Sequence, residues 1–94
     1  MDFIFEWDEN KAERNKRDHK ISFDEAQTVF LDDLSLMKID TDHSETEERL
    51  LIIGNSIKNR IIVVSHAERG DNIRIISARK ATRNERKQYE EDYL

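Results

Sequence analysis

Ninety-four residues are enough for one hydrophobic core, and 24 Leu, Ile, Val and Phe, about 26% of the chain, exceed the ~20% below which chains stay disordered. The absence of cysteine excludes disulfide scaffolds, cysteine-ligated zinc, iron–sulfur clusters and thiol catalysis, and with no proline and two glycines a linker is improbable, so a single domain spanning 1–94 is expected. The net charge of −5 is segregated: residues 1–57 hold 7 Lys and Arg against 15 Asp and Glu, whereas residues 58–87 hold 9 against 3.

Phe3, Phe5 and Trp7 alternate with Ile4 and Glu6, the period of a short strand. Asp8 is an N-cap for a helix over Glu9 to Asp18, which is almost without apolar residues and so lies on the surface. Ser22 and Glu25 form a capping box before the apolar stripe Phe23, Ala26, Val29 and Phe30, the better buried helix. Leu34, Leu36 and Ile39 mark a strand, and Thr41 to Thr46 reads as a turn. Three strands follow, Glu48 to Ile53, Arg60 to His66 and Asn72 to Arg79, with Gly54-Asn55 and Gly70-Asp71 as hairpin connections. Thr82 and Glu85 form a second capping box, opening a charged helix that carries Tyr89 and Tyr93. The order β-α-α-β-β-β-β-α predicts an α+β fold with a mostly antiparallel sheet. The longest aliphatic runs, Leu50 to Ile53 and Ile61 to Val64, fall far short of the ~20 residues of a membrane span, and the acidic N-terminus is unlike a signal peptide. A soluble cytoplasmic protein with no membrane partner is expected.

Nucleotide-binding glycine loops are absent, and a serine triad has no nucleophile elbow. His43, Glu45 and Glu47 alternate in a way that can hold a metal, but an acidic turn explains them as well, and neither metal nor cofactor is expected. The remaining constellation is the basic block from His66 to Arg86. Arginine presents a planar fork suited to phosphate, and histidine suits proton transfer near neutrality. Together they match metal-free RNA cleavage, which must deprotonate a 2′-hydroxyl and stabilise a phosphorane. The bland alternatives are a packed histidine at a strand end and an Arg74 paired structurally with a carboxylate such as Glu48.

The stretches FEWDENKAERN, SFDEA, EER and above all RIISARKATRNERKQYEE resemble the BrnT family of bacterial toxins, from Phe5 to Glu91. Where that family usually has Lys-His-Gly between its first helices, this chain has Asp18-His19-Lys20. The resemblance implies a RelE-like fold and a toxin of a type II toxin–antitoxin system: an endoribonuclease that acts without metal and arrests growth. It implies RNA as substrate, a BrnA-like ribbon-helix-helix antitoxin as partner, and operator DNA only through the antitoxin complex. Arg74 and Arg79 are then expected to stabilise the phosphate and transition state, with His66 transferring protons. Arg49, Lys80 and Arg83 position RNA; Glu48 and Tyr89 support or take part in acid–base chemistry. A non-enzymatic, decayed toxin that binds antitoxin or acts as a co-repressor is the rival.

Overall fold

A computed structural model describes residues 3–43 and 46–91. Glu45 and Tyr93, both singled out above, lie outside the described residues. The elements are β1 (Ile4–Glu6), α1 (Glu9–His19), α2 (Phe23–Thr28), a 3-10 turn (Val29–Leu31), β2 (Leu36–Ile39), β3 (Leu50–Asn55), β4 (Ile61–Arg69), β5 (Asn72–Lys80) and α3 (Arg83–Glu91). This is the α+β order expected, with one five-stranded sheet in the order β1-β5-β4-β3-β2. Strands β2 to β5 are antiparallel neighbours, and β1 lies parallel to β5, with Glu6 opposite Arg74.

Local capping sets the helix starts. Asp8 accepts from the N–H groups of Asn10 and Lys11, and Ser22 Oγ accepts from the Glu25 N–H at 3.0 Å. Helix α1 ends on Lys20, whose φ of 61° is the left-handed conformation that glycine adopts freely. The lysine makes the same closing bond, N–H to the Lys16 carbonyl at 3.0 Å, at a cost of about 1–2 kcal/mol.

The two sheet faces are covered unequally. On one, α1, α2 and the 3-10 turn bury Ile21, Phe23, Ala26 and Val29 against Ile52, Ile62, Val64, Ile75 and Ala78. Trp7 packs edge-on against Phe23 at this margin and donates its indole N–H to Glu9, as an anchor of the core. Asn15, the buried residue of α1, fastens the helix to the sheet: its side chain donates to the Ile21 carbonyl at 2.9 Å and accepts from the Ala78 N–H at 3.0 Å. On the other face α3 lays Tyr89 against Ile53 and Val63.

One connection differs from the sequence expectation. Gly54 and Asn55 do not turn the chain; they belong to β3, and the reversal is made at Ser56 to Asn59, with Asn59 at φ 59°. Gly54 is required for another reason, since a Cβ there would stand 2.8 Å from Val29 Cγ1 and 3.2 Å from Asp32 Oδ2. Gly70, at φ 61°, turns β4 into β5 as expected. Strand β5 also carries a bulge. Ser65 faces Ser77 but His66 faces Ile75, so Ile76 is an extra residue and the faces of β5 exchange there.

Candidate active site on the open sheet face

Arg79 lies opposite Val63, Ser77 opposite Ser65 and Arg74 opposite Ala67, so these side chains share the face that carries α3. Helix α3 covers only part of it. The remainder is an open cleft of about 300 Å³ whose lining includes Asp40, Asp42, His43, Arg49, Leu51, Ser65, Ser77 and Arg79.

Arg79 owes its position to the start of α3. Thr82 and Glu85 form a reciprocal capping box, with Thr82 N–H to Glu85 Oε1 at 2.8 Å and Glu85 N–H to Thr82 Oγ1 at 3.2 Å. The same Glu85 carboxylate accepts both terminal guanidinium nitrogens of Arg79, at 2.7 and 2.9 Å. Those bonds hold the Glu85 carboxyl down to about 2 and keep Arg79 firmly charged, and Asp40 adds a weaker attraction to the same guanidinium. A bidentate pair of this kind fixes the plane of the fork as well as its charge.

The opposite wall is the turn after β2. Asp40 accepts from the Asp42 N–H at 3.2 Å and meets His43 Nδ1 at 3.0 Å, while its own N–H donates to the Arg49 carbonyl at 2.8 Å. The turn is thereby tied to the residues entering β3.

The structure brings together only some of the expected residues. Arg49 and Arg79 share the cleft, and Arg83 is exposed at the start of α3, but Lys80, opposite Ile62 at the end of β5, falls on the face that α1 and α2 cover and not on that of Arg79. Arg74 lies on the same face but pairs with Glu6 at 3.3 Å, not with Glu48, and does not line the cleft. Glu48 is exposed in the segment before β3. Tyr89 is buried and donates its hydroxyl to Asp32 Oδ2 at 2.6 Å, a packing position.

His66 is the main departure. It is 0% exposed, on the helix-covered face, with its ring edge-on to Phe30 at 4.8 Å and Nδ1 3.3 Å from the Val64 carbonyl. Burial lowers its pKa below the ordinary 6.5, so the neutral ring is favoured, and its Nε2 has no hydrogen-bond partner. A ring sealed in the core cannot exchange a proton with RNA, so the expected proton-transfer role does not fit this position. The bulge at Ile76 explains the misreading, because it separates the face of His66 from that of Arg79 although both lie on paired strands.

His43 and Asp40 are what sequence reasoning passed over in the cleft. The acidic turn containing them reads as solvated, and only the sheet order shows that it closes over β4 and β5. Among the described residues, no group of three His, Cys, Asp or Glu is arranged to hold a metal ion, and no helix is long and apolar enough to cross a membrane.

Comparison with known proteins agrees with this architecture. The 1.1 Å crystal structure of the Brucella abortus ribonuclease toxin BrnT aligns with a TM-score of 0.63 at 24% identity, covering 87% of this chain and 100% of that one, which shows a common fold. No curated protein matches the sequence. The family model described as the ribonuclease toxin BrnT of type II toxin–antitoxin systems matches residues 7–85. With its fold and most of its length accounted for in this way, the chain belongs to the BrnT family of ribonuclease toxins of type II toxin–antitoxin systems.

Proposed function

We propose that this protein is an endoribonuclease that cleaves RNA at the open sheet face without a metal ion, acts in the cytoplasm and is silenced by a ribbon-helix-helix antitoxin covering that face. The observation that carries the reading is Arg79, a guanidinium oriented by the two hydrogen bonds it donates to Glu85, in a cleft it shares with Arg49. An oriented donor fork in a partly enclosed site is suited to the charge that develops on a phosphorane. Arg83 supplies field along the same route and Arg74 extends it on the same face, whereas Lys80, opposite Ile62, falls on the other face of the sheet. The Brucella relative, itself described as a ribonuclease toxin, supports the choice of RNA as substrate. Operator DNA would be contacted only through the antitoxin complex.

One observation favours a second reading, a non-enzymatic antitoxin-binding module or co-repressor. Arg74 and Arg79 are each already neutralised by a glutamate, in a chain of net charge −5.

Single-turnover cleavage of a short RNA in excess chelator separates the two. The expected result is cleavage that survives chelation, with Arg79→Ala slowing it about 100- to 1,000-fold as for a lost transition-state donor. Arg83→Ala, on an exposed turn, should instead weaken binding modestly and reduce the salt slope by about 0.7. Cleavage that requires added magnesium defeats the metal-independent mechanism. A folded chain that binds antitoxin and cleaves nothing establishes the second reading.

A further inference from the structure

A phosphate-stabilising cation is half of what RNA cleavage needs; the other half is a group that takes the proton of the 2′-hydroxyl. The chain has three histidines. His66 is sealed in the core, and His19, at the end of α1, lines a separate hollow with Lys11 and Arg14. His43 alone of the three lines the Arg79 cleft. Its side chain is 65% exposed, and its Nδ1 is engaged by Asp40 Oδ2 at 3.0 Å, which leaves Nε2 as the nitrogen available to a substrate. Asp40 is itself constrained: its side chain is 13% exposed, and its backbone is bonded to Arg49. A carboxylate on one ring nitrogen fixes the tautomer in which the other accepts a proton.

We propose that His43 is the general base of this cleft and that Asp40 is its positioning residue, an inference that rests on the ribonuclease reading above. Among the described residues, the charged groups that line the cleft with His43 are Asp40 and Asp42 from its own turn, Arg49 from the segment entering β3, and Arg79 from β5 with Glu85 behind it. In the reaction His43 Nε2 takes the 2′-hydroxyl proton while the 2′ oxygen forms a bond to the adjacent phosphorus. Arg79 faces the charge on the non-bridging oxygens. The bond from phosphorus to the 5′ oxygen then breaks, its electron pair leaving with that oxygen, which takes a proton from solvent. His43 returns its proton to solvent, and the products are a 2′,3′-cyclic phosphate and a 5′-hydroxyl.

The test is single-turnover cleavage of a short RNA by the full chain over a range of pH, with RNA affinity measured separately. Wild type should show a rate that rises with pH to a plateau. His43→Ala, a change on an exposed turn, should lower the plateau about 100-fold or more and abolish the rising limb while RNA affinity is retained. Added imidazole should restore part of the rate. Asp40→Asn should slow wild type yet have no effect in the His43→Ala background, because a positioning residue acts only through the base it holds. If His43→Ala cleaves at the wild-type rate with the limb intact while Arg79→Ala is inactive, the general-base assignment is overturned and the ribonuclease reading stands. A rate loss that merely follows lost affinity also overturns it. Absence of cleavage by the wild-type chain removes both.

Discussion

Replacing Glu85 by glutamine removes the charge that holds Arg79 while leaving an oxygen to accept the Thr82 N–H, since either residue completes a capping box. A carboxyl held at about 2 instead of its ordinary 4.5 contributes at most about 3.4 kcal/mol of stability at neutral pH. The Arg79 side chain is 41% exposed and Glu85 13%, so water screens the pair and about 1–2 kcal/mol is the better expectation. Because the folded-state pKa is depressed, this contribution is complete above the ordinary 4.5 and is lost as pH falls towards 2. Urea unfolding of wild type and Glu85→Gln across this range should therefore show a gap that is constant near neutrality and closes in acid. In thermal melts each kcal/mol corresponds to about 4–8 °C for a domain of this size. A gap that persists undiminished in acid refutes the reasoning, because the lost stability would then lie in the cap or the packing, not in the carboxylate charge.

Three further perturbations probe the scaffold. Gly54→Ala should destabilise by about 1–3 kcal/mol in denaturant melts, since the new methyl meets Val29 Cγ1 at 2.8 Å in a filled core. Glu25→Ala should cost about 3 kcal/mol, because the buried carboxylate, held low by Arg60, also accepts from Ser56 Oγ at 2.7 Å and its loss strands both partners. Wild type should lose stability as pH falls below the ordinary imidazole value of 6.5, because unfolding lets the buried His66 take up a proton; His66→Leu should lack that loss and keep its RNA cleavage, measured in the same assay.

Features decided within a few residues were legible in the sequence. The caps at Asp8, Ser22 and Thr82 form as read, because a cap needs only a side chain and an N–H two or three positions on. Even there, the Ser22 box is incomplete as a local device: Glu25 turns away from its helix to Arg60 and Ser56, far along the chain. Gly54 was misread for a similar reason. Turn and close approach both demand glycine, and only the position of Val29 distinguishes them. The cleft was the least legible part. Its walls come from the turn after β2, the start of β3, the middle of β4 and the C-terminal half of β5, and they converge only through the strand order. One extra residue, Ile76, decides that Arg79 and His66 look to opposite sides of the sheet.

The parallel pairing of β1 with β5 also has a consequence for the newborn chain on the ribosome. Glu6 waits for Arg74, 68 positions later, which at about 5–20 residues per second is a delay of about 3–14 s. During that interval Phe3 and Phe5 have no neighbouring strand, and a contact between such distant segments forms late because its loop must close first. Arg79 and the Glu85 that orients it emerge later still. A partly synthesised toxin therefore lacks both its sheet edge and its cation, and translation can run most of its course before the product is able to attack RNA.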